Sequence, residues 1–107
     1  MNTPTNRGNT ELLECVLLAR QVQDGSLPLI QGCAEIARRI IAGRVDPNVA
    51  CTLLAEVNDS LDHPDELSAF SLLAHEQYDH EDFGFTAESC AVEIIKECHR
   101  LVELDGG

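Results

Sequence analysis

The sequence has few aromatic residues, no long apolar run and almost no positive charge in its second half. Its 107 residues include no Trp, one Tyr and three Phe, and its longest apolar runs, such as residues 16–19, span only a few positions. A membrane-spanning helix needs about 20 apolar residues, so the sequence excludes one. The first nine residues contain Pro4 and Gly8 but no apolar stretch of the length that a signal peptide needs.

Positive charge is scarce throughout, since 19 Asp and Glu stand against seven Lys and Arg, for a formal net charge of −12. Duplex nucleic acid and anionic membranes are bound through clustered Lys and Arg, so neither is expected as a partner. The 44% of hydrophobic residues excludes a disordered acidic tail. We therefore expect residues 1–107 to form a single helical domain, with residues 1–9 as a flexible tail.

Motifs of common enzymes are also missing. The chain has neither a Gly-rich phosphate loop nor a Ser nucleophile elbow, and it has no CxxC pair or Cys/His zinc spacing. The sequence therefore predicts a non-enzymatic protein with no catalytic residue and no cofactor. An odd number of cysteines without such pairing favours free thiols in the core and a reducing, cytoplasmic compartment. These five are Cys15, Cys33, Cys51, Cys90 and Cys98.

What the sequence does contain is helical periodicity. Turn residues and caps separate segments of period 3.6, and no segment alternates with the period of a half-buried strand. The predicted helices start near Thr10, near Ser26, at Asp46-Pro47, near Asp65 and at Thr86. We predict an all-α fold, a compact antiparallel bundle of four to five helices.

Each helix has an apolar stripe that is expected to face the core. In the first helix the stripe is Leu12, Leu13, Val16, Leu17, Ala19 and Val22; in the second it is Leu29, Ile30, Cys33, Ile36, Ala37, Ile40 and Ile41. In the third it is Val49, Leu53, Leu54, Val57 and Leu61, and in the fourth Leu67, Phe70, Leu73, Ala74 and Tyr78. The last helix continues the pattern with Ala87, Cys90, Ala91, Ile94, Ile95, Cys98, Leu101 and Val102.

The negative charge is concentrated in one part of the chain. Residues 45–95 contain twelve Asp and Glu and no Lys or Arg, whereas residues 1–44 have a net charge of +1. Unpaired carboxylates in such number repel one another, and they serve either as a solvated surface or as an interface for a basic protein. The candidate partner-binding residues are Glu56, Asp59, Asp62, Asp65, Glu66, Glu76, Asp79, Glu81 and Asp82, with Phe83 as an apolar anchor.

The chain resembles small acidic helical bacterial proteins of uncharacterised function. The resemblance rests on residues 11–20 and 24–33, which give a first helix, a Gly turn and an Ile-x-Gly second helix, followed by the acidic segment 58–64. Some proteins of this kind are immunity proteins that neutralise a cognate toxin. The resemblance therefore implies a toxin-binding role, and it assigns no catalytic residue.

Two other classes of function remain open. His75 and His80, with nearby carboxylates such as Asp79, offer metal ligands at the end of the fourth helix for a metal-binding protein or enzyme. No second helix supplies a Glu-x-x-His pair to complete such a site. A self-associating structural protein would instead use an exposed part of the last helix.

Overall fold

Helices make up the regular structure of the computed structural model, which describes residues 5–62, 65–74 and 87–106. They are α1 (Thr5–Gln23), α2 (Leu29–Ile41), α3 (Pro47–Ser60), a 3-10 helix (Asp65–Leu67), the helical residues 68–74 (α4) and α5 (Ala87–Leu104). No strand occurs within these ranges, so the predicted all-α bundle of four to five helices is confirmed. None of the helices in these ranges is long and apolar enough to cross a membrane.

The first helix starts earlier than predicted. The sequence placed its start near Thr10 and residues 5–9 in a tail, whereas the backbone of these residues is helical. Gly8 and Asn9 are poor helix formers, which is why the predicted start followed them. Each costs at most about 1 kcal/mol relative to Ala, and a helix that is already nucleated extends by one hydrogen bond per added residue.

The buried face of α1 is rotated from the predicted stripe. Cys15, Ala19 and Val22 are buried, but Leu13 and Leu17, which were predicted to face the core, are 62% and 56% exposed. Positions 15, 19 and 22 follow the i, i+4, i+7 spacing of one helix face, while 13 and 17 lie on the opposite face. The prediction was therefore wrong for these two leucines. In α3, the predicted core residue Val49 is also largely exposed.

Caps and turns bound the helices where the sequence indicated. Asp46 Oδ1 accepts hydrogen bonds from the backbone N–H of Asn48 at 2.8 Å and of Val49 at 3.4 Å, with Pro47 in the first turn of α3. Gly25 and Gly43 follow α1 and α2 with φ of 85° and 77°, a region that only glycine enters without strain.

One glycine allows two helices to approach closely. A Cβ at Gly32 of α2 would lie 2.3 Å from Val22 Cγ2 and 2.9 Å from Leu27 Cδ2. Both distances are shorter than van der Waals contact, so α1 and α2 pack at this separation because position 32 has no side chain.

The core lies where α2 packs against α5, α1 and α3. Its largest fully buried side chains come from α2, α3, the 3-10 helix, α4 and α5; they are Ile36, Ile40, Leu54, Val57, Leu67, Phe70, Ile94 and Leu101. All five cysteines are free and buried, which confirms their predicted role as small core residues.

Candidate protein-binding surface

The first group of predicted partner-binding residues lies at the junction between α3 and the 3-10 helix. We call these residues the acidic cluster: Glu56, Asp59, Asp62, Asp65 and Glu66. The first four are exposed and Glu66 is half-buried. The second predicted group, Glu76, Asp79, Glu81, Asp82 and Phe83, lies outside the described residues, as do Tyr78, His75 and His80.

Local hydrogen bonds hold the backbone of this junction. Ser60 Oγ donates to the carbonyl of Val57 at 3.0 Å at the end of α3, and Ser68 Oγ donates to the carbonyl of Asp65 at 3.0 Å at the start of α4. Ser71 Oγ donates to Asp59 Oδ1 at 3.5 Å, which places α4 beside the end of α3. These hydrogen bonds hold the end of α3 and the start of α4, the two described segments that carry the acidic cluster.

Asp62 has an unusual backbone conformation. Its φ is 61°, and it is the one non-glycine residue with positive φ in the described part of the chain; the other three such positions are glycines. Asp tolerates the left-handed region better than most residues, yet it costs more there than Gly. The turn after α3 thus carries a carboxylate at a position where glycine is favoured.

The Arg and Lys side chains of α2 and α5 form ion pairs with carboxylates outside the acidic cluster. Arg38 pairs with Glu35 at 2.6 Å and with Asp105 at 2.9 Å, and Arg39 Nη2 pairs with Glu14 at 3.1 Å. On α5, Lys96 pairs with Glu93 and Arg100 pairs with Glu97. Within residues 5–62, 65–74 and 87–106, no ion pair involves Glu56, Asp62, Asp65 or Glu66.

One arginine reaches the edge of the acidic cluster. Arg100 Nη2 donates to the backbone carbonyl of Glu66 at 3.0 Å, while its Nε donates to Glu97 Oε1 at 2.9 Å. The contact ties α5 to the 3-10 helix through the main chain and leaves the Glu66 carboxylate without an ion pair among the described residues. Sequence reasoning missed this contact because residues 66 and 100 are far apart in the chain.

An exposed leucine lies on α4, the helix whose Ser71 contacts Asp59 of the acidic cluster. Leu72 is 60% exposed and follows Ser71, whose hydroxyl contacts Asp59. It lies one helical turn after the exposed Ser68. The predicted stripe of Leu67, Phe70, Leu73 and Ala74 is buried, so the spacing that predicted the core also leaves Leu72 on the outer face. Sequence reasoning proposed Phe83 as the apolar anchor and missed Leu72.

A second surface feature is a depression of about 310 Å³ at the end of α2, lined by Glu35, Arg38, Arg39, Ala42 and Arg44. Its arginines are neutralised within the chain. Arg39 contacts Glu11, Glu14 and Glu35, and Arg44 Nη1 lies 3.9 Å from Glu11 Oε1. We interpret this region as a structural ion network that links α1, α2 and the end of α5.

The buried cysteines are poor candidates for chemistry. Burial raises the pKa of Cys33, Cys51 and Cys98 to about 12, so these residues are uncharged thiols at neutral pH. A nucleophilic or metal-binding cysteine needs the thiolate. Within the described ranges, no three His, Cys, Asp or Glu side chains are grouped so as to hold a metal ion.

Comparison of the chain with protein-family models, with curated proteins and with solved structures finds no match.

Proposed function

We propose that the chain is a non-enzymatic, protein-binding module whose acidic cluster contacts a basic protein. The observation that carries the proposal is the set of exposed carboxylates at the turn after α3. Three of them, Glu56, Asp62 and Asp65, lack an ion pair among the described residues, as does the half-buried Glu66, although the cations on α2 and α5 are paired. Charge-assisted hydrogen bonds to Arg or Lys of a partner would supply the missing counter-charge.

The backbone conformation of Asp62 favours the interpretation of the acidic cluster as an interface rather than as a surface that only aids solubility. A carboxylate that serves solubility alone works equally well at neighbouring exposed positions without backbone strain. Residues held in sparsely populated conformations are concentrated at functional sites. Keeping Asp at φ 61°, where the other turns use glycine, is consistent with a carboxylate that a partner requires at that position.

Leu72 offers an exposed apolar side chain on α4, the helix that follows Asp65 and Glu66. Exposed charge pairs at the rim of an interface contribute little affinity, whereas buried apolar anchors contribute much of it. Phe83 remains a second predicted anchor. We infer a partner surface that combines Arg or Lys side chains with an apolar pocket.

The most specific form of the proposal is an immunity protein of a bacterium that neutralises a basic toxin in the cytoplasm. Its support is the sequence resemblance to small acidic helical proteins and the negative surface, which fits a toxin whose own target is an anionic substrate such as nucleic acid. The five free cysteines fit a reducing compartment.

Affinity capture with two forms of the chain tests the proposal. The immobilised wild-type chain is expected to retain a basic protein from its native cell extract at low salt and to release it as salt rises. The variant Asp62→Asn/Asp65→Asn should retain at least about tenfold less, since each lost charge-assisted bond is worth 1 kcal/mol or more. Asn is used because it also tolerates positive φ at position 62.

Equal retention by both forms, or retention that does not change with salt, would show that the acidic cluster is not the interface. Leu72→Ser provides a second measurement, because it should weaken binding without reducing its dependence on salt.

A further inference from the structure

The outward face of α1 carries an apolar pair with no contact to the core. Leu13 and Leu17 are 62% and 56% exposed and lie one helical turn apart. With Thr10, Arg20 and Asp24 they follow an alternating spacing of three and four residues, and all five are exposed. This spacing is the one that forms a seam between two packed helices.

Arg20 in this seam differs from the arginines around it. Arg38, Arg39, Arg44 and Arg100 each contact a carboxylate, whereas no ion pair within the described ranges includes Arg20. Arg20 is exposed on a protein with 19 Asp and Glu. The seam therefore offers both an uncovered apolar pair and an uncompensated positive charge.

We propose that α1 is the interface of a homodimer in which two copies pack α1 antiparallel about a two-fold axis at Leu17. Glu14 and Arg20 lie three residues on either side of Leu17, about 4.5 Å along the helix axis. The antiparallel arrangement brings Glu14 level along the helix axis with Arg20 of the second copy, so that the two long side chains can meet across the leucines, and the symmetry repeats this pair. Leu17 packs on Leu17 of the second copy, with Leu13 at its flank.

The charges of the seam select the antiparallel arrangement. A parallel pair in register would place Arg20 against Arg20 and Asp24 against Asp24 of the second copy, both repulsive. In the antiparallel arrangement Thr10 is level with Asp24 of the second copy and Glu14 with Arg20, so no like charges are brought together. Glu14 is 45% exposed and already contacts Arg39, so its carboxylate is held in place at the edge of the seam.

The charge distribution of the whole chain favours a second copy on this face. Residues 1–44 have a net charge of +1, whereas residues 45–95 contain twelve Asp and Glu and no Lys or Arg. Two copies that meet through α1 bring together their nearly neutral segments, where the electrostatic repulsion between the copies is smallest. A standard stable interface buries about 800 Å² per partner, which is more than one helix face of this length offers. We therefore expect a weak dimer that forms only as the protein concentration rises.

Sedimentation equilibrium over a range of concentrations tests the dimer. The wild-type mass is expected to rise from that of one chain toward that of two. Leu17→Glu should abolish the rise, whereas Val92→Glu, which adds the same charge at a similarly exposed residue of α5, should leave it unchanged. Arg20→Glu should weaken association at least about tenfold, the effect of about 1.4 kcal/mol.

A wild-type chain with the mass of one copy at every concentration would overturn the dimer. So would a Leu17→Glu variant that associates as the wild type does, or a Val92→Glu variant that fails to associate, since charge alone would then explain the loss. Circular dichroism of each variant confirms that it is folded. The dimer is independent of the acidic cluster, because Asp62→Asn/Asp65→Asn leaves the α1 seam intact.

Discussion

Asp62 links backbone conformation and charge in one residue. Its φ is 61°, a conformation that costs glycine less free energy than it costs Asp, and its carboxylate belongs to the acidic cluster. We expect Asp62→Gly to raise the free energy of unfolding by about 0.5–1 kcal/mol, because it relieves both the backbone strain and the repulsion between carboxylates. Urea unfolding at low salt measures the change.

The converse substitution is the control for Asp62. Gly43 follows α2 with φ 77° and has open space around its Cα, so Gly43→Ala adds strain without a clash. It should lower stability by about 1 kcal/mol. A less stable Asp62→Gly variant would contradict the assignment of strain to position 62.

Arg39 neutralises three carboxylates at once. Its Nε lies 3.6 Å from Glu11 Oε2, and its other nitrogens contact Glu14 and Glu35. Glu11 is only 16% exposed, and its Oε2 has no hydrogen-bond partner among the described residues. Arg39→Ala removes the cation that these carboxylates share, leaves the part-buried Glu11 and Glu14 without their nearest positive charge, and should lower stability by about 2 kcal/mol.

Lys96→Ala is the matched control for Arg39. It removes an exposed i,i+3 pair with Glu93 and should change stability by less than about 0.5 kcal/mol. Equal effects of the two substitutions in thermal unfolding would show that the Arg39 contacts are no more than surface pairs.

At the scale of helices, Gly32 sets the distance between α1 and α2. A Cβ there would meet Val22 and Leu27, whose side chains pack against the core. The helix-propensity gain of Gly32→Ala, about 1 kcal/mol, is outweighed by overpacking that costs about 1–3 kcal/mol. We therefore expect a less stable protein with a lower melting temperature.

Gln31→Ala tests helix propensity without the clash. Gln31 is exposed and adjacent to Gly32 in α2, so its replacement should leave stability within about 0.5 kcal/mol of the wild type. If Gly32→Ala were instead more stable than the wild type, α1 and α2 would have room to separate, and the close approach would not define the fold.

Helix existence could be predicted from the sequence, but helix rotation and long-range contacts could not. Asp46-Pro47 predicts the start of α3 because a cap and a proline act locally, and the structure confirms it. In α1, residues 15–19 are all apolar, so the sequence permits several rotations, and packing against α2 and α3 selects the one that buries Cys15. The contact of Arg100 with Glu66 depends on tertiary packing alone.

The candidate surface could be predicted to a similar extent. The absence of Lys and Arg over residues 45–95 indicated the acidic cluster, and the structure places Glu56, Asp59, Asp62 and Asp65 on the surface. The sequence could not indicate that the cations of α2 and α5 would pair with carboxylates outside the acidic cluster, because that pairing follows from how the helices pack.

At the scale of the whole molecule, the buried thiols make stability depend on alkaline pH. Cys33, Cys51 and Cys98 have pKa values raised by burial from 9.0 to about 12. Their contribution to stability is fully present below about pH 9. As pH rises from there toward about 12, the unfolded chain loses protons that the folded chain keeps, so stability falls.

Urea unfolding at about pH 8 and at about pH 10.5 measures this effect, and the midpoint should be lower at the higher pH. Cys33→Ala removes one of the thiols and should reduce the difference between the two midpoints. A midpoint that does not fall with pH would contradict the burial of these thiols.

Binding of a basic protein through the acidic cluster is the central claim, and the affinities of two double variants with equal net charge test it most directly. Asp62→Asn/Asp65→Asn neutralises two residues of the acidic cluster. Glu88→Gln/Glu103→Gln neutralises two exposed residues of α5. Calorimetric titration of each with the captured basic protein at low salt separates local contacts from total charge.

The account predicts that the acidic-cluster variant binds at least about tenfold more weakly than the wild type, while the α5 variant binds within about twofold of it. Equal affinities for the two variants would contradict the account, because the negative charge would then act as a whole and the acidic cluster would be a solvated surface.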